Sequence, residues 1–481
     1  DSTLHKAARF STITLRLEES MNSLDDAYQQ SLDYLYSFVD YSLTHNLRFS
    51  PEKFDLARMH DLMARLGNPH QKYPVIHVAG TKGKGSTAAM TAAALQAAGY
   101  RVGFYTSPHL EDFNERIQVN GQPISRADLV MLVDQLRPHA AAIERITTFE
   151  LTTALGFMYF AHAHVDVAVV EVGLGGRLDA TNVVTPLVSV ITSLSYDHMA
   201  VLGNTLAQIA AEKAGIIKPG RPIVLAPQKE EARLVVEQIA SERSAPLTQV
   251  GKDLFFAPWS HSLDGQTLLI WSPVEQSLVD EYIESDGHSN WQPIRLTIPL
   301  LGHHQIENAA TAYTALQAAN AAGLSISDAA IQQGLLQTHW PGRFEILRRD
   351  PPLVIDSAHN RDSALKLRLA VEDYFPGKPV VLLFGASEDK DIAGMFAELM
   401  PRVWQVIATQ SVHPRAMPPE QLVALAHQFG VRARVVLPLE AALEQALQTA
   451  GPDALVLGTG SIFVAAAIRS AWQKLNTTGR G

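Results

Sequence analysis

Cysteine is absent from the 481 residues. This excludes disulfides, thiol nucleophiles and thiolate-bound metals, so any metal must be held by oxygen or imidazole. No run is long and apolar enough to cross a bilayer, and a soluble, cytoplasmic chain without a membrane partner is expected. Positive charge is also scarce: 39 Lys and Arg against 49 Asp and Glu leave a net charge of -10, and no basic stripe interleaves with aromatics. Nucleic acid is therefore not an expected partner, although small anions can still bind at local sites. Internal repeats and low-complexity tracts are missing as well. Residues 1–20 carry Glu18 and Glu19 and lack the apolar core of an export signal; they read as a transit segment or as an extension before a chain start at Met21.

What is present is a large apolar fraction, 47% of residues against 18% charged, enough for a sizeable core spread over two or more domains. The chain is organised around residues 75–99, VIHVAGTKGKGSTAAMTAAALQAAG. Val75 to Ala79 reads as a buried strand, GTKGKGS as a glycine turn, and the alanine-rich stretch as a helix that begins near Ser86 and ends at Gly99. Strand, glycine turn and helix together form a phosphate cradle. Gly80, Gly83 and Gly85 let the backbone approach, the helix start offers amide hydrogens, and Lys84 supplies a point charge. The stretch departs from GxxxxGK[ST], since Val78 replaces the first glycine and Gly85 separates lysine from hydroxyl. A turn that binds nothing is the bland alternative, disfavoured by Lys82 and Lys84 just before the helix.

Around this loop the spacing predicts helices over 24–46 and 52–66, a strand RVGFYTS that delivers Ser107 to the loop edge, and a polar surface loop HLEDFNERIQVNG. A core helix TTFELTTALGFMYFAHAH and a strand DVAVVEV follow, the latter ending at Glu171 before GLGGRLDATN. The strand LVSVITS ends before Asp197 and His198. Glu171 and His198 thus fall at neighbouring strand ends, where a magnesium ion on nucleotide phosphates needs ligands. On spacing alone, Lys213 in a helix over 205–217 is a solvated surface lysine, and 229–245 is a further helix. Residues 250–300, with Trp259, Trp271 and Trp291, read as a small antiparallel insertion. Trp340, Pro341 and Gly342 mark a hinge. Beyond it, strands and helices alternate as in a second, smaller parallel sheet. The fold class is α/β. A large mostly parallel ATP-binding domain (21–338) carries the insertion, and a smaller Rossmann-like domain (341–481) follows.

GTKGKGS, SPHLEDFNERI, EVGLGGRLDATN, EKAGI, GHHQIENAATA, WPGRFE, DSAHN and GASEDKD occur in the order seen in the folylpolyglutamate synthases, a branch of the Mur ligase group. From about residue 30 onward the chain resembles the bacterial type that is also a dihydrofolate synthase. The resemblance implies that Gly80, Thr81, Gly83, Lys84, Gly85 and Ser86 hold ATP phosphates, with Asn308, Arg343 and Asp356 as further nucleotide contacts. It implies magnesium on Ser107, Glu171 and His198, and it implies that Lys213 is carbamylated, replacing the solvated reading. Pterin contacts would come from Asp55, Thr147, Thr148, Phe149 and Asp179, and glutamate contacts from His359 and Ser461. Ser357 stands where many relatives have glycine.

The implied chemistry is ATP-dependent attachment of L-glutamate to dihydropteroate or a reduced folate by a monomer. Phosphoryl transfer turns the acceptor carboxylate into an acyl phosphate, the task of Lys84 and magnesium, and the glutamate amine then attacks. Either Asp356 or His359 serves as base. Three other readings compete. They are a peptidoglycan-type ligase, a dinucleotide oxidoreductase built on GLGGRL (which lacks the third glycine of GxGxxG), and a non-catalytic ATP-binding regulator.

Overall fold

The strand that leads into the glycine turn is the centre of the larger sheet. The computed structural model describes residues 23–39, 55–289 and 291–478. The larger sheet contains, in chain order, β1 (Val75–Ala79), β2 (Val102–Tyr105), β3 (Ile117–Val119), β4 (Gln122–Pro123), β5 (Val167–Glu171), β6 (Val188–Ile191), β7 (Ile223–Leu225) and β8 (Leu247–Gln249). Their spatial order is β4-β3-β2-β5-β1-β6-β7-β8. All pairings are parallel except β2 with β3 and β3 with β4. After β1 the chain crosses to one side, and after β5 to the other. The crevice outside the carboxyl end of β1 is therefore where a ligand belongs.

Every residue of β1, β5 and β6 is buried, as expected for strands covered on both faces. One cover is the helix Lys84–Ala97, whose alanines allow close packing against His303–Ala321 and Asp328–Leu336. Gly334 permits the closest approach, since a β-carbon there would lie 2.3 Å from Ala94 Cα.

Residues 250–300 form the expected antiparallel insertion, β9 (Phe255–Ser262), β10 (Gly265–Trp271) and β11 (Ile294–Ile298), with a helix Gln276–Glu284. The smaller sheet holds β12 (Glu345–Arg349), β13 (Pro352–Ile355), β14 (Val380–Phe384), β15 (Val403–Ala408), β16 (Arg432–Val435) and β17 (Leu455–Thr459). Its order is β12-β13-β17-β14-β15-β16, parallel apart from the edge strand β12.

Several element boundaries differ from the sequence reading. HLEDFNERIQVNG is not a plain surface loop: Asp112 and Glu115 cap a helical turn Phe113–Arg116, and β3 then joins the sheet with Ile117 and Val119 buried. The helix over 205–217 is Leu206–Ala214, opened by a Thr205–Gln208 capping box. The helix over 24–46 covers 23–36, and 52–66 contracts to Leu56–Arg65 behind its cap Asp55. Residues 1–20, 40–46 and 52–54 of the sequence reading lie outside the described residues.

Candidate active site

The glycine turn is pinned to the segment that follows β6. Thr81 and Lys82 both donate their backbone N–H to Ser193 O, at 3.0 and 3.1 Å, and Thr81 Oγ1 donates to Ser195 O. Gly80, at φ +152, lies so close to Thr192 that a β-carbon would collide with its hydroxyl. Gly83, at φ +89, caps the helix from a left-handed conformation, which starts the helix at Lys84 rather than near Ser86. The first intrahelical bond runs from Thr87 N to Gly83 O. The amides of Gly83, Lys84, Gly85 and Ser86 are thus the orphan donors of a helix start, an anion site by geometry and dipole. Asn308, held by Gln305 at 2.9 Å, seats its amide over Gly83.

Lys84 Nζ stands 3.9 Å from Glu171 Oε1. The other oxygen, Oε2, accepts from Thr106 Oγ1 at 2.5 Å and from Ser107 N at 3.3 Å. Asp197 and His198 follow β6, with His198 in the left-handed region at φ 49. The His198 side chain is half exposed beside Asp197, leaving its imidazole accessible at the loop edge. No three His, Asp or Glu side chains form a ready cation cluster among the described residues. A magnesium ion that relies on substrate phosphates needs only one or two protein carboxylates. Glu171, whose Oε1 has no hydrogen-bond donor among the described residues, fits that requirement, with His198 and the Ser107 hydroxyl as the remaining nitrogen and oxygen candidates.

The spacing-based view of Lys213 as a surface lysine is corrected here. Lys213 is 4% exposed, because Gly176 and Gly215 let the GLGGRL segment close over its helix. Its Nζ donates to Gly80 O at 2.8 Å. Burial, reinforced by the Lys84 charge, lowers its pKa to about 7.

The small unit meets this loop directly. Lys82 Nζ is 3.2 Å from Asp197 Oδ2 and 3.2 Å from His359 Nε2, and Asn360 Nδ2 donates to the same Asp197 oxygen at 3.2 Å. Burial would raise Asp197, but His359, 3.8 Å away, and the Lys82 ammonium overcome that and hold the carboxyl well below its usual range. Lys82, then burial, lowers His359. Asp356 has both oxygens occupied at 2.8 Å, by Phe344 N and Ala358 N. Burial raises its pKa and Arg343 opposes the rise. Arg343 itself donates to Gly342 O at 3.1 Å. Ser461 caps the last helix through Val464 N, beside Gly460, which donates to Ala358 O.

The residues considered for a pterin lie on three segments, the start of Leu56–Arg65, the start of Thr148–His162 and the GLGGRLDATN stretch. Asp179 is buried and accepts from Leu174 N, Thr181 N and Thr181 Oγ1, and burial raises its pKa. The Phe149 ring covers Gly173 in the same segment. Thr147 caps its helix with Glu150, and Thr148 Oγ1 donates to Leu35 O at 2.9 Å. Asp55 is exposed and caps the neighbouring helix, which is tied to Glu150 through Arg58 at 3.1 Å. GLGGRL leads into a short turn Ala180–Val183 rather than the long helix a dinucleotide site needs. Thr106, Asn360 and the contact of Lys82 with the small unit are features the sequence did not single out. Lys82 was visible only as a second cation.

A phosphate loop on one α/β unit, closed by a second α/β unit that reaches its Lys82, defines an ATP-dependent Mur-type ligase. Residues 78–316 match the Mur ligase middle domain and residues 342–462 the Mur ligase glutamate ligase domain. A dihydrofolate synthase/folylpolyglutamate synthase of Bacillus subtilis is 39% identical over 380 residues, covering 78% of this chain and 83% of its own. The folylpolyglutamate synthase of Mycobacterium tuberculosis complexed with ADP superposes with a TM-score of 0.80 at 32% identity, over 93% of this chain and 99% of that one. Escherichia coli FolC in complex with DHPP and ADP gives 0.78 at 30%, over 94% and 98%. The chain belongs to the dihydrofolate synthase/folylpolyglutamate synthase family.

Proposed function

We propose that this protein joins L-glutamate to dihydropteroate and to folylpolyglutamate, consuming ATP through an acyl phosphate. The observation that carries this is the seam: the large unit's phosphate loop and the small unit's His359 are 3.2 Å apart through Lys82. A phosphorylated acid formed on one unit therefore lies next to an amino acid held by the other.

A carboxylate resists amines because its oxygen leaves poorly. The orphan amides at Gly83 to Ser86 and the Lys84 ammonium hold the triphosphate and neutralise charge as its terminal group passes to the acid. Magnesium on Glu171, His198 and Ser107 would supply further charge neutralisation when bound. Asn308 and Arg343 hold the nucleotide, and Asp356 shapes the loop carrying His359 through its two backbone bonds. With each Asp356 oxygen already holding a backbone amide, His359 is the better candidate to orient or deprotonate the glutamate amine. His359 and Ser461 bind glutamate. Asp55, Thr147, Thr148, Phe149 and Asp179 line the pterin side, and GRLDATN supports action on both acceptors.

Lys213, buried and with its pKa lowered to about 7, has the neutral amine that reacts with carbon dioxide, which supports its carbamylation. The units divide between residues 338 and 341. Because Lys82 and His359 of one chain complete the seam, a monomer suffices, in the cytoplasm where folates and ATP occur. Incubation with ATP, magnesium, L-glutamate and either dihydropteroate or a reduced folate tests the reading. Phosphate release that requires both glutamate and a pterin acid supports it, and release indifferent to the pterin acid refutes it.

A further inference from the structure

Lys82 and Lys84 leave the same turn but serve opposite sides. Lys84 faces Glu171 on the large unit, while Lys82, only 14% exposed, reaches the small one. Its backbone N–H is fixed on Ser193 O, so the stem is anchored. His359 Nδ1 lies 3.0 Å from Ser357 O, a carbonyl that can only accept. The Nδ1 proton is thereby committed and Nε2 is left as an acceptor. Asp197 is an acceptor as well, and its Oδ2 is 3.8 Å from His359 Nε2. Two acceptors from two units thus face each other, and the Lys82 ammonium is the donor placed between them.

We propose that Lys82 is a positioning residue for glutamate: by donating to Asp197 of the large unit and His359 of the small one, it fixes the His359 ring in the closed seam. Two of its three N–H donors are engaged; the third is available to an incoming carboxylate or phosphate. Without the ammonium, Asp197 and His359 present lone pairs to each other, and the ring turns or gains a proton. The Asn360 side chain donates to Asp197 and accepts from Ser363, so it takes no part in the contact with His359 Nε2. The inference rests on the assignment of His359 to glutamate.

The test compares Lys82→Met, Lys82→Arg, His359→Ala and the double variant Lys82→Met/His359→Ala in the full chain. It measures KM for L-glutamate, kcat, and ADP affinity by fluorescence titration. Lys82→Met should raise the glutamate KM about tenfold or more with ADP affinity within about twofold of the parent, the loss of one charge-assisted hydrogen bond. Lys82→Arg should recover part of it. The double variant should be no worse than His359→Ala, because both changes remove one link. Should Lys82→Met not fold, Lys82→Gln gives the same comparison. An unchanged glutamate KM in Lys82→Met, multiplying effects in the double variant, or an equal loss of ADP affinity would each overturn the proposal. An unchanged glutamate KM in His359→Ala would instead remove the assignment beneath it, and the inference with it.

Discussion

The indole of Trp340 packs against the phosphate loop at Gly85, so near that a β-carbon on Gly85 would fall 2.6 Å from Trp340 Cζ2. The same ring packs on Phe104 of β2, at 5.6 Å between centroids. This explains why glycine follows Lys84 where the general loop has a hydroxyl residue.

Gly85→Thr, which restores the general pattern, should therefore harm the protein. Overpacking of this kind costs roughly 1–3 kcal/mol, and displacing the loop should weaken ADP binding. Trp340→Ala in the same chain should recover part of both. Denaturant melts and ADP titration measure the effect, and a Gly85→Thr variant that matches the parent would show that the ring moves freely.

Lys84→Ala should lose ATP-dependent phosphate release by roughly two to three orders of magnitude, the scale of removing one group that stabilises transferring charge. Lys84 stands 3.9 Å from the buried Glu171, so a thermal melt beside the assay separates lost charge pairing from lost chemistry. Parent-like release would contradict the assignment of the loop.

Arg343→Ala should lower turnover strongly with folding intact, since among the described residues Arg343 makes only the Gly342 carbonyl bond while opposing the buried Asp356 charge. Steady-state kinetics beside a thermal melt separate the two effects. Normal turnover would refute the cross-unit role.

The alternation of apolar runs was enough to read both sheets, because strands covered on both faces carry continuous Val and Ile, as in Val167 to Val170. The insertion was legible from its Trp, Gly and Asp texture. Lys213 was not legible from spacing. Its burial follows from Gly176 and Gly215, which bring a distant segment over the helix. The Lys82–Asp197–His359 cluster joins residues 115 and 277 positions from Lys82, a distance that no local pattern encodes. Phe113 and Ile117 looked isolated in a polar stretch, yet the Asp112–Glu115 cap turns both inward.

Lys213 should carry a carbamate-sized mass increment in fresh protein at bicarbonate-containing pH 8, and small carboxylates should partly restore a Lys213→Ala variant. The fraction carbamylated should rise through pH 7, since the amine reacts only when neutral and its pKa lies near about 7. The linked stability has a definite sign. Between about 7 and the ordinary lysine value of 10.5, the unfolded chain holds a proton the folded chain has lost, so this group makes stability rise with pH in that window. In carbon dioxide-free buffer, Lys213→Met should abolish that part of the rise. Absence of both the increment and the rescue would leave the lysine a purely structural bond to Gly80.

The most direct measurement follows an oxygen atom. With dihydropteroate labelled by oxygen-18 in its carboxylate, plus ATP, magnesium and L-glutamate, one label should appear in the released inorganic phosphate for each amide formed. Label that stays wholly in the folate product, with amide still forming, would contradict activation of the acid by the terminal phosphoryl group.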